Sequence, residues 1–235
     1  MKTKKINWNY LLIAPALLLS VSIILIPGIM TVFYSFTDWN GLSPNVKFIG
    51  LKNFIELFND KIFFRAITNN VIWVLMFLTI PVCIGMLAAM LLLGRKKTRS
   101  IYQVGFLIPY ILAPAVNAML WLNIMFSPIS GVVAALRNLG LDLSSLLAHM
   151  KTAIYACAGV DIWHYWPYLT VIYLAALRQT PMDQVEAGRV EGCNAWQLFR
   201  HVYLPNIMST VSLMFIMITI GSFLAFDYIK LLTGG

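Results

Sequence analysis

The sequence predicts an all-α protein, a polytopic bundle of transmembrane helices forming one domain over residues 1–235, and three observations carry that reading. Hydrophobic residues make up 60% of the 235 and charged residues 11%, against roughly 45–50% and about 25% in soluble domains. The mean hydropathy is +0.80, so the chain has too little polar surface to cover itself in water. Its uncharged stretches are also long. Residues 6–37, 66–94 and 100–136 carry no charge, 152–177 carries Asp161 alone, and 201–226 carries none unless His201 is protonated. Each exceeds the roughly 20 residues a helix needs to cross about 30 Å of hydrocarbon. The same figures exclude a disordered chain, a coiled coil, a collagen or a disulfide scaffold.

Five spans follow, near residues 10–36, 69–93, 102–126, 152–177 and 206–226. Lys2, Lys4 and Lys5 precede the first, but its apolar core is too long for a secretory signal and no small-x-small cleavage site follows. The tight turn at residues 94–100, with Arg95, Lys96, Lys97 and Arg99, closes the second span and belongs on the cytoplasmic side. That places the N-terminus in the cytoplasm, with Arg178, Arg189 and Arg200 on the same side. Lys47, Lys52, Lys61, Arg65, Arg137, Lys151 and Lys230 then lie outside, diluted by Asp38, Glu56, Asp60, Asp142 and Asp227. The excess of 17 Lys and Arg over 9 Asp and Glu gives a net charge of +8 and a pI near 9.5. In a membrane chain this reflects basic residues retained in cytoplasmic loops rather than nucleic-acid binding. Cys83, Cys157 and Cys193 fit neither a metal site nor a disulfide framework and read as small apolar fillers. Pro15, Pro27, Pro81, Pro109, Pro114 and Pro167 each remove a backbone donor from a span. Taken singly each is ordinary helix packing; together they suggest helices bent around a pathway.

The most informative loop is residues 178–205, predicted to be a cytoplasmic hairpin. Thr180 and Pro181 read as the N-cap and first residue of a short helix. Gly192 supplies a left-handed C-cap or bend. Asn194 caps a second helix, on which Trp196, Phe199 and Tyr203 share one aromatic face. Pro205 resets the chain for the next span. Such a hairpin suits docking into a partner's groove, or an interfacial helix lying on lipid head groups.

Glu186, Ala187 and Gly188, then Glu191, Gly192 and Cys193, then Phe199, Val202, Leu204 and Pro205 resemble the EAA motif of ABC importer permeases. That pattern runs Glu-Ala-Ala, two residues, Asp-Gly-Ala, then Phe, Ile and Leu-Pro. The departures are Gly188 for Ala, Glu191 for Asp, Cys193 for Ala and Val202 for Ile. Tyr34-Ser-Phe-Thr-Asp-Trp-Asn-Gly41, Ile49-Gly-Leu-Lys-Asn-Phe-Ile-Glu-Leu-Phe58 with Phe63, Phe64 and Asn69, and Phe106-Leu-Ile-Pro109 resemble the carbohydrate-uptake branch. The resemblance implies a permease of a bacterial or archaeal cytoplasmic membrane. It would pair with a similar second permease, be driven by two ATPase subunits and be fed by an extracytoplasmic sugar-binding protein. It also implies ATPase docking through Glu186, Ala187, Gly188, Glu191, Gly192, Phe199, Leu204 and Pro205, to which the aromatic face adds Trp196.

The sequence contains no Gly-x-x-x-x-Gly-Lys-Ser/Thr, no nucleophile–base set and no metal-ligand spacing. It therefore reads as a transport subunit that needs no cofactor, takes its energy from a partner and is not an enzyme. Substrate-path candidates are Asn117 and Trp121 in the third span and Asp161 and His164 in the fourth. Asp161 lies about 25 Å of helix from Arg178, which puts it near the outer interface, paired with His164. Trp163 and Trp166 read as an interfacial belt. An ion-coupled secondary transporter is the alternative, but such proteins tend to carry several intramembrane ionisable groups and inverted repeats. A channel or membrane scaffold gives no reason for the hairpin. Residues 227–235 are expected on the outer side, as the turn before a sixth span that the chain lacks.

Overall fold

The computed structural model describes residues 8–43, 45–95, 97–127, 129, 131–140, 146–147 and 149–234. Lys2, Lys4, Lys5, Lys96 and Asp142, used above for orientation, lie outside the described residues. The chain forms two compact units, Met1–Ala66 and Ile67–Gly235.

In the first unit, helix α1 runs through residues 8–34. Pro27 lacks a donor and its ring crowds the carbonyl four residues back. The turn before it, Val21–Leu25, is widened, and the Ile26 amide bonds the Val21 carbonyl five residues away. Widening moves the obstructed carbonyl aside and keeps the helix continuous. No residue from Val21 to Tyr34 is buried. Beyond α1 the two segments that resemble the carbohydrate branch close on each other. Thr37 pairs antiparallel with Phe48, and the Lys47 amide donates to the Asp38 carboxylate at 2.7 Å. Asn53, on helix α2 (Lys52–Asn59), donates to the carbonyls of Ser35 at 3.0 Å and Thr37 at 2.8 Å. Tyr34 and Trp39 stack with ring centroids 4.1 Å apart.

Helix α3 (Lys61–Leu93) leads into the second unit. There follow α4 (Arg99–Ile111), α5 (Pro114–Leu120, continued by a wide turn Trp121–Met125), α6 (Val132–Asn138) and α7 (Met150–Leu177). The chain ends with α8 (Met182–Val190), α9 (Ala195–Phe223) and α10 (Asp227–Thr233). No strand occurs among the described residues. Helix α7 is the centre. Its Cys157, Ala158, Val160, Leu169, Tyr173 and Leu174 are buried in one cluster with Trp73 and Phe77 of α3, Ile207 and Met214 of α9, and Tyr228 of α10.

The helices differ from the expected spans in their breaks, composition and bounds. Among the described residues three helices are long and apolar enough to cross a membrane, residues 12–34 of α1, α3 and α9, or four if a bent pair is one span. The third expected span is not one helix: α4 and the continued α5 meet at a bend of 92°. Pro114 cannot continue a helix from α4, and Leu112 and Ala113 before it are extended. The fourth, α7, has the length at about 42 Å but not the composition, because Asp161 and His164 interrupt its apolar run. Enclosed by neighbours, it need not present an apolar surface to lipid. The fifth starts earlier than residue 206, since α9 begins at Ala195.

Gly85 lets α3 pack tightly on α7. A Cβ there would meet Leu169 Cβ at 2.9 Å, the Thr170 nitrogen at 3.2 Å and the Trp166 carbonyl oxygen at 3.3 Å. Two of these are backbone atoms and cannot turn aside. Gly85→Ala is expected to cost about 1–3 kcal/mol through overpacking, read as a lower unfolding midpoint in detergent. Gly28→Ala, where a Cβ meets nothing within 4 Å, is expected not to lower it.

Candidate functional site

The break between α4 and α5 opens a cavity of about 300 Å3 against α7 and α10. Its wall includes Trp73, Tyr110, Asp161, His164, Tyr165 and Tyr228. The extended Leu112 leaves its carbonyl without a helical partner, and His164 takes it up: Nε2 lies 3.2 Å from that oxygen. A carbonyl only accepts, so Nε2 carries the proton. The His164 ring also sits between Tyr110 and Tyr228, with centroids 5.3 and 5.9 Å away. The expected Asp161–His164 pair is therefore not formed, because the imidazole is committed to the helix break. Asp161 faces the cavity with no ion-pair partner within 4 Å among the described residues.

The four predicted path residues separate. Asp161 and His164 line the cavity; Asn117 and Trp121 do not. Asn117 is fully buried, donating through Nδ2 to the Tyr228 hydroxyl at 2.9 Å, while its Oδ1 has no partner. Trp121 packs edge-on against Trp163 at 5.5 Å. Sequence reasoning missed Tyr228 and Trp73. Asn117 and Tyr228 lie 111 positions apart, and no local spacing links them. Aromatic faces stack on apolar patches, while the carboxylate and phenols bond hydroxyls, so the wall suits a polyhydroxylated ligand. Among the described residues no three His, Cys, Asp or Glu are grouped as metal ligands.

The hairpin is built from local capping. Gly192, at φ +83°, ends α8 in a Schellman motif. The Cys193 amide bonds the Gly188 carbonyl at 2.9 Å, and the Gly192 amide bonds that of Arg189 at 3.1 Å. Asn194 and Gln197 form a reciprocal capping box at the start of α9, with bonds of 2.8 and 2.9 Å. Thr180 does not cap α8, which starts at Met182 with Pro181 before it; the Thr180 hydroxyl is buried without a partner. A Cβ on Gly188 would lie 2.9 Å from Leu198 Cδ1 and 3.9 Å from Cys193 Sγ. Two departures from the motif thus face each other, a smaller residue opposite a larger one.

Pro205 does not reset the chain. The turn Phe199–Tyr203 is widened, with the Leu204 amide bonded to the Phe199 carbonyl, the same device that precedes Pro27. Helix α9 therefore runs unbroken from the hairpin to Phe223. Asn206 clamps α8 to it, donating at 2.7 Å to both Gln184 Oε1 and the Val202 carbonyl. The expected aromatic face divides. Trp196 is 67% exposed while Phe199, 8% exposed, joins the core and Tyr203 is half-buried. Glu186, Ala187, Glu191, Gly192 and Pro205 are exposed, Leu204 is half-buried and Gly188 is buried. Val190, 88% exposed, adds an apolar tip that the sequence reading did not single out.

A helical bundle with apolar crossing helices, a polar cavity at a broken helix and a projecting hairpin defines a multi-pass membrane transport component. The chain belongs to the family of binding-protein-dependent transport system inner membrane components, whose model matches residues 54–235. It is 33% identical over 228 residues to a probable ABC transporter permease of Pyrococcus horikoshii, covering 96% of this chain and 78% of that one. It is 32% identical over 228 residues to a probable starch degradation products transport system permease of Thermoanaerobacterium thermosulfurigenes, covering 97% and 77%. The fold matches a bacterial ABC transporter involved in import of the acidic polysaccharide alginate, with a TM-score of 0.79 and 24% identity, over 95% of this chain and 76% of that one. The chain is accordingly a permease subunit of an ABC importer, a transport component rather than an enzyme.

Tyr228→Phe is expected to leave the buried Asn117 amide without its partner, at about 1–3 kcal/mol. The check is a thermal midpoint in detergent. Asn117→Ala with Tyr228→Phe is expected to lose less than the sum of the two single changes.

Proposed function

We propose that this chain is the membrane-spanning permease of an ATP-driven sugar importer, coupled to a separate ATPase through the hairpin at residues 178–205. The observation that carries the reading is the continuity of α9 from that hairpin into the bundle, with α8 clamped to it by Asn206. A pull on the hairpin then moves a span wall next to the cavity, since Gly221 at the far end of α9 lines it. Glu186, Glu191, Val190 and Trp196 are the solvent-facing groups of the docking surface, and Gly192 fixes its shape. Ala187 is exposed beside them, and Gly188, Phe199, Leu204 and Pro205 shape the hairpin from within and at its base.

Cavity chemistry and relatives together support a sugar as the transported molecule. Aromatic rings, Asp161 and Tyr228 suit stacking and hydroxyl bonding, and one relative is named for starch degradation products. Asp161 and His164 are the path residues; Asn117 and Trp121 support the wall. The partners in this reading are a second permease of the same kind, two ATPase subunits and an extracytoplasmic sugar-binding protein. The exposed apolar length of α1 faces lipid or the second permease. The N-terminus and hairpin lie on the cytoplasmic side of a bacterial or archaeal membrane.

In proteoliposomes holding the complete importer, uptake is expected to require ATP and to be indifferent to proton and sodium gradients; uptake driven by an ion gradient without ATP would contradict the reading. Glu186→Lys and Gly192→Pro, the latter incompatible with a φ of +83°, are expected to lower ATP-dependent uptake at least tenfold while the protein still inserts. Normal uptake by both variants would refute hairpin docking.

A further inference from the structure

A second cavity, of about 650 Å3, lies where α3 and α7 end and the hairpin begins. Its lining is largely apolar, with Met90 and Leu93 from the end of α3, Leu177 from the end of α7 and Val185 and Leu198 from the hairpin. Three arginines line it too: Arg99 from the start of α4, Arg178 from the end of α7 and Arg189 from α8. No acidic residue is among those lining it, and among the described residues none of the three arginines has a carboxylate within 4 Å. Thr180 lines the same cavity, and its buried hydroxyl has no hydrogen-bond partner. Cations left uncompensated beside apolar surface call for an amphipathic anion. The volume falls in the roughly 300–1,000 Å3 range of small-molecule sites and far exceeds what an inorganic phosphate fills.

We infer that this cavity binds the headgroup of an anionic phospholipid of the cytoplasmic leaflet. This rests on the cytoplasmic placement of the hairpin proposed above. Bilayer depth favours a lipid over other anions. Met90, Leu93 and Leu177 lie in the last turns of α3 and α7, which on the orientation proposed above is the level where acyl chains give way to headgroups, and the arginines stand just beyond them. The phosphate sits among Arg99, Arg178 and Arg189, and the upper acyl chains lie on Met90 and Leu93. Arg189 belongs to α8, so an occupied site ties the hairpin to the ends of α3 and α7.

The test is native mass spectrometry of the purified full chain in detergent, titrated with dioleoylphosphatidylglycerol, dioleoylphosphatidylcholine or inorganic phosphate. One phosphatidylglycerol is expected to be retained at least tenfold more tightly than phosphatidylcholine. Arg178→Gln with Arg189→Gln, both exposed positions, is expected to abolish that preference, and the corresponding lysine pair to restore part of it. Equal retention of the two lipids overturns the inference, as does an unchanged preference in the glutamine pair. Displacement of the lipid by millimolar inorganic phosphate would make this a free-anion site and also overturn it. A glutamine pair that keeps its lipid but loses the ATPase in a pull-down would assign the arginines to an acidic protein segment, again overturning it. Lipid retention is measured on the isolated chain without ATPase, so its outcome is independent of whether the hairpin docks.

Discussion

Backbone hydrogen bonding inside a membrane is the constraint on which the rest of this structure depends. A peptide group in hydrocarbon must find its partner within the protein, and every proline in a span withdraws one donor. Pro15, Pro81, Pro109 and Pro167 sit inside helices, while at three other prolines the chain meets this in two ways. Before Pro27 and before Pro205 the turn widens, and the helix passes the proline unbroken. Before Pro114 the helix breaks, and a side chain from another element, His164, satisfies a carbonyl left free. The first solution preserves stiffness, while the second creates space.

The two solutions fall where the proposed function calls for them. Continuity past Pro205 joins the hairpin to a helix that reaches the cavity. The break before Pro114 turns the third span aside and opens that cavity beside α7. Helix α7 holds both together. It is buried against α3 through the Gly85 contact, receives the broken helix at His164, and ends where the hairpin starts. Its polar and aromatic middle, Asp161 to Tyr168, is tolerated because neighbouring helices cover it.

Much of this was legible in the sequence, because its signals are local. Uncharged runs gave the helices of the bundle, Gly192 marked a left-handed cap, and Asn194 marked a helix start whose Gln197 partner is three residues away. The EAA-like spacing pointed to the hairpin. Non-local arrangement was not legible. A proline signals that a donor is missing but not whether the helix widens or breaks: Pro114, expected to bend its span, breaks it outright, and Pro205, expected to reset the chain, does not. The helical spacing of Trp196, Phe199 and Tyr203 was read as one outward face, but a helix half sunk in a bundle divides such a stripe between core and solvent. Asp161 and His164 were paired by their i, i+3 spacing, whereas the imidazole is drawn to a carbonyl 52 positions away. Thr180 preceded a proline and looked like a cap, yet its hydroxyl caps nothing.

The central claim is that the hairpin and α9 move as one body. It is tested most directly by the distance between spin labels at Val190, on the hairpin tip, and Leu213, midway along α9, both exposed. Cys83, Cys157 and Cys193 would first be replaced, and pulsed electron–electron double resonance recorded on the assembled importer with and without ATP. A single narrow distance, unchanged by nucleotide, is the result this account requires. A shift approaching a helical turn, about 5 Å, or a distribution that splits on ATP binding would show the hairpin hinging on the span and contradict it.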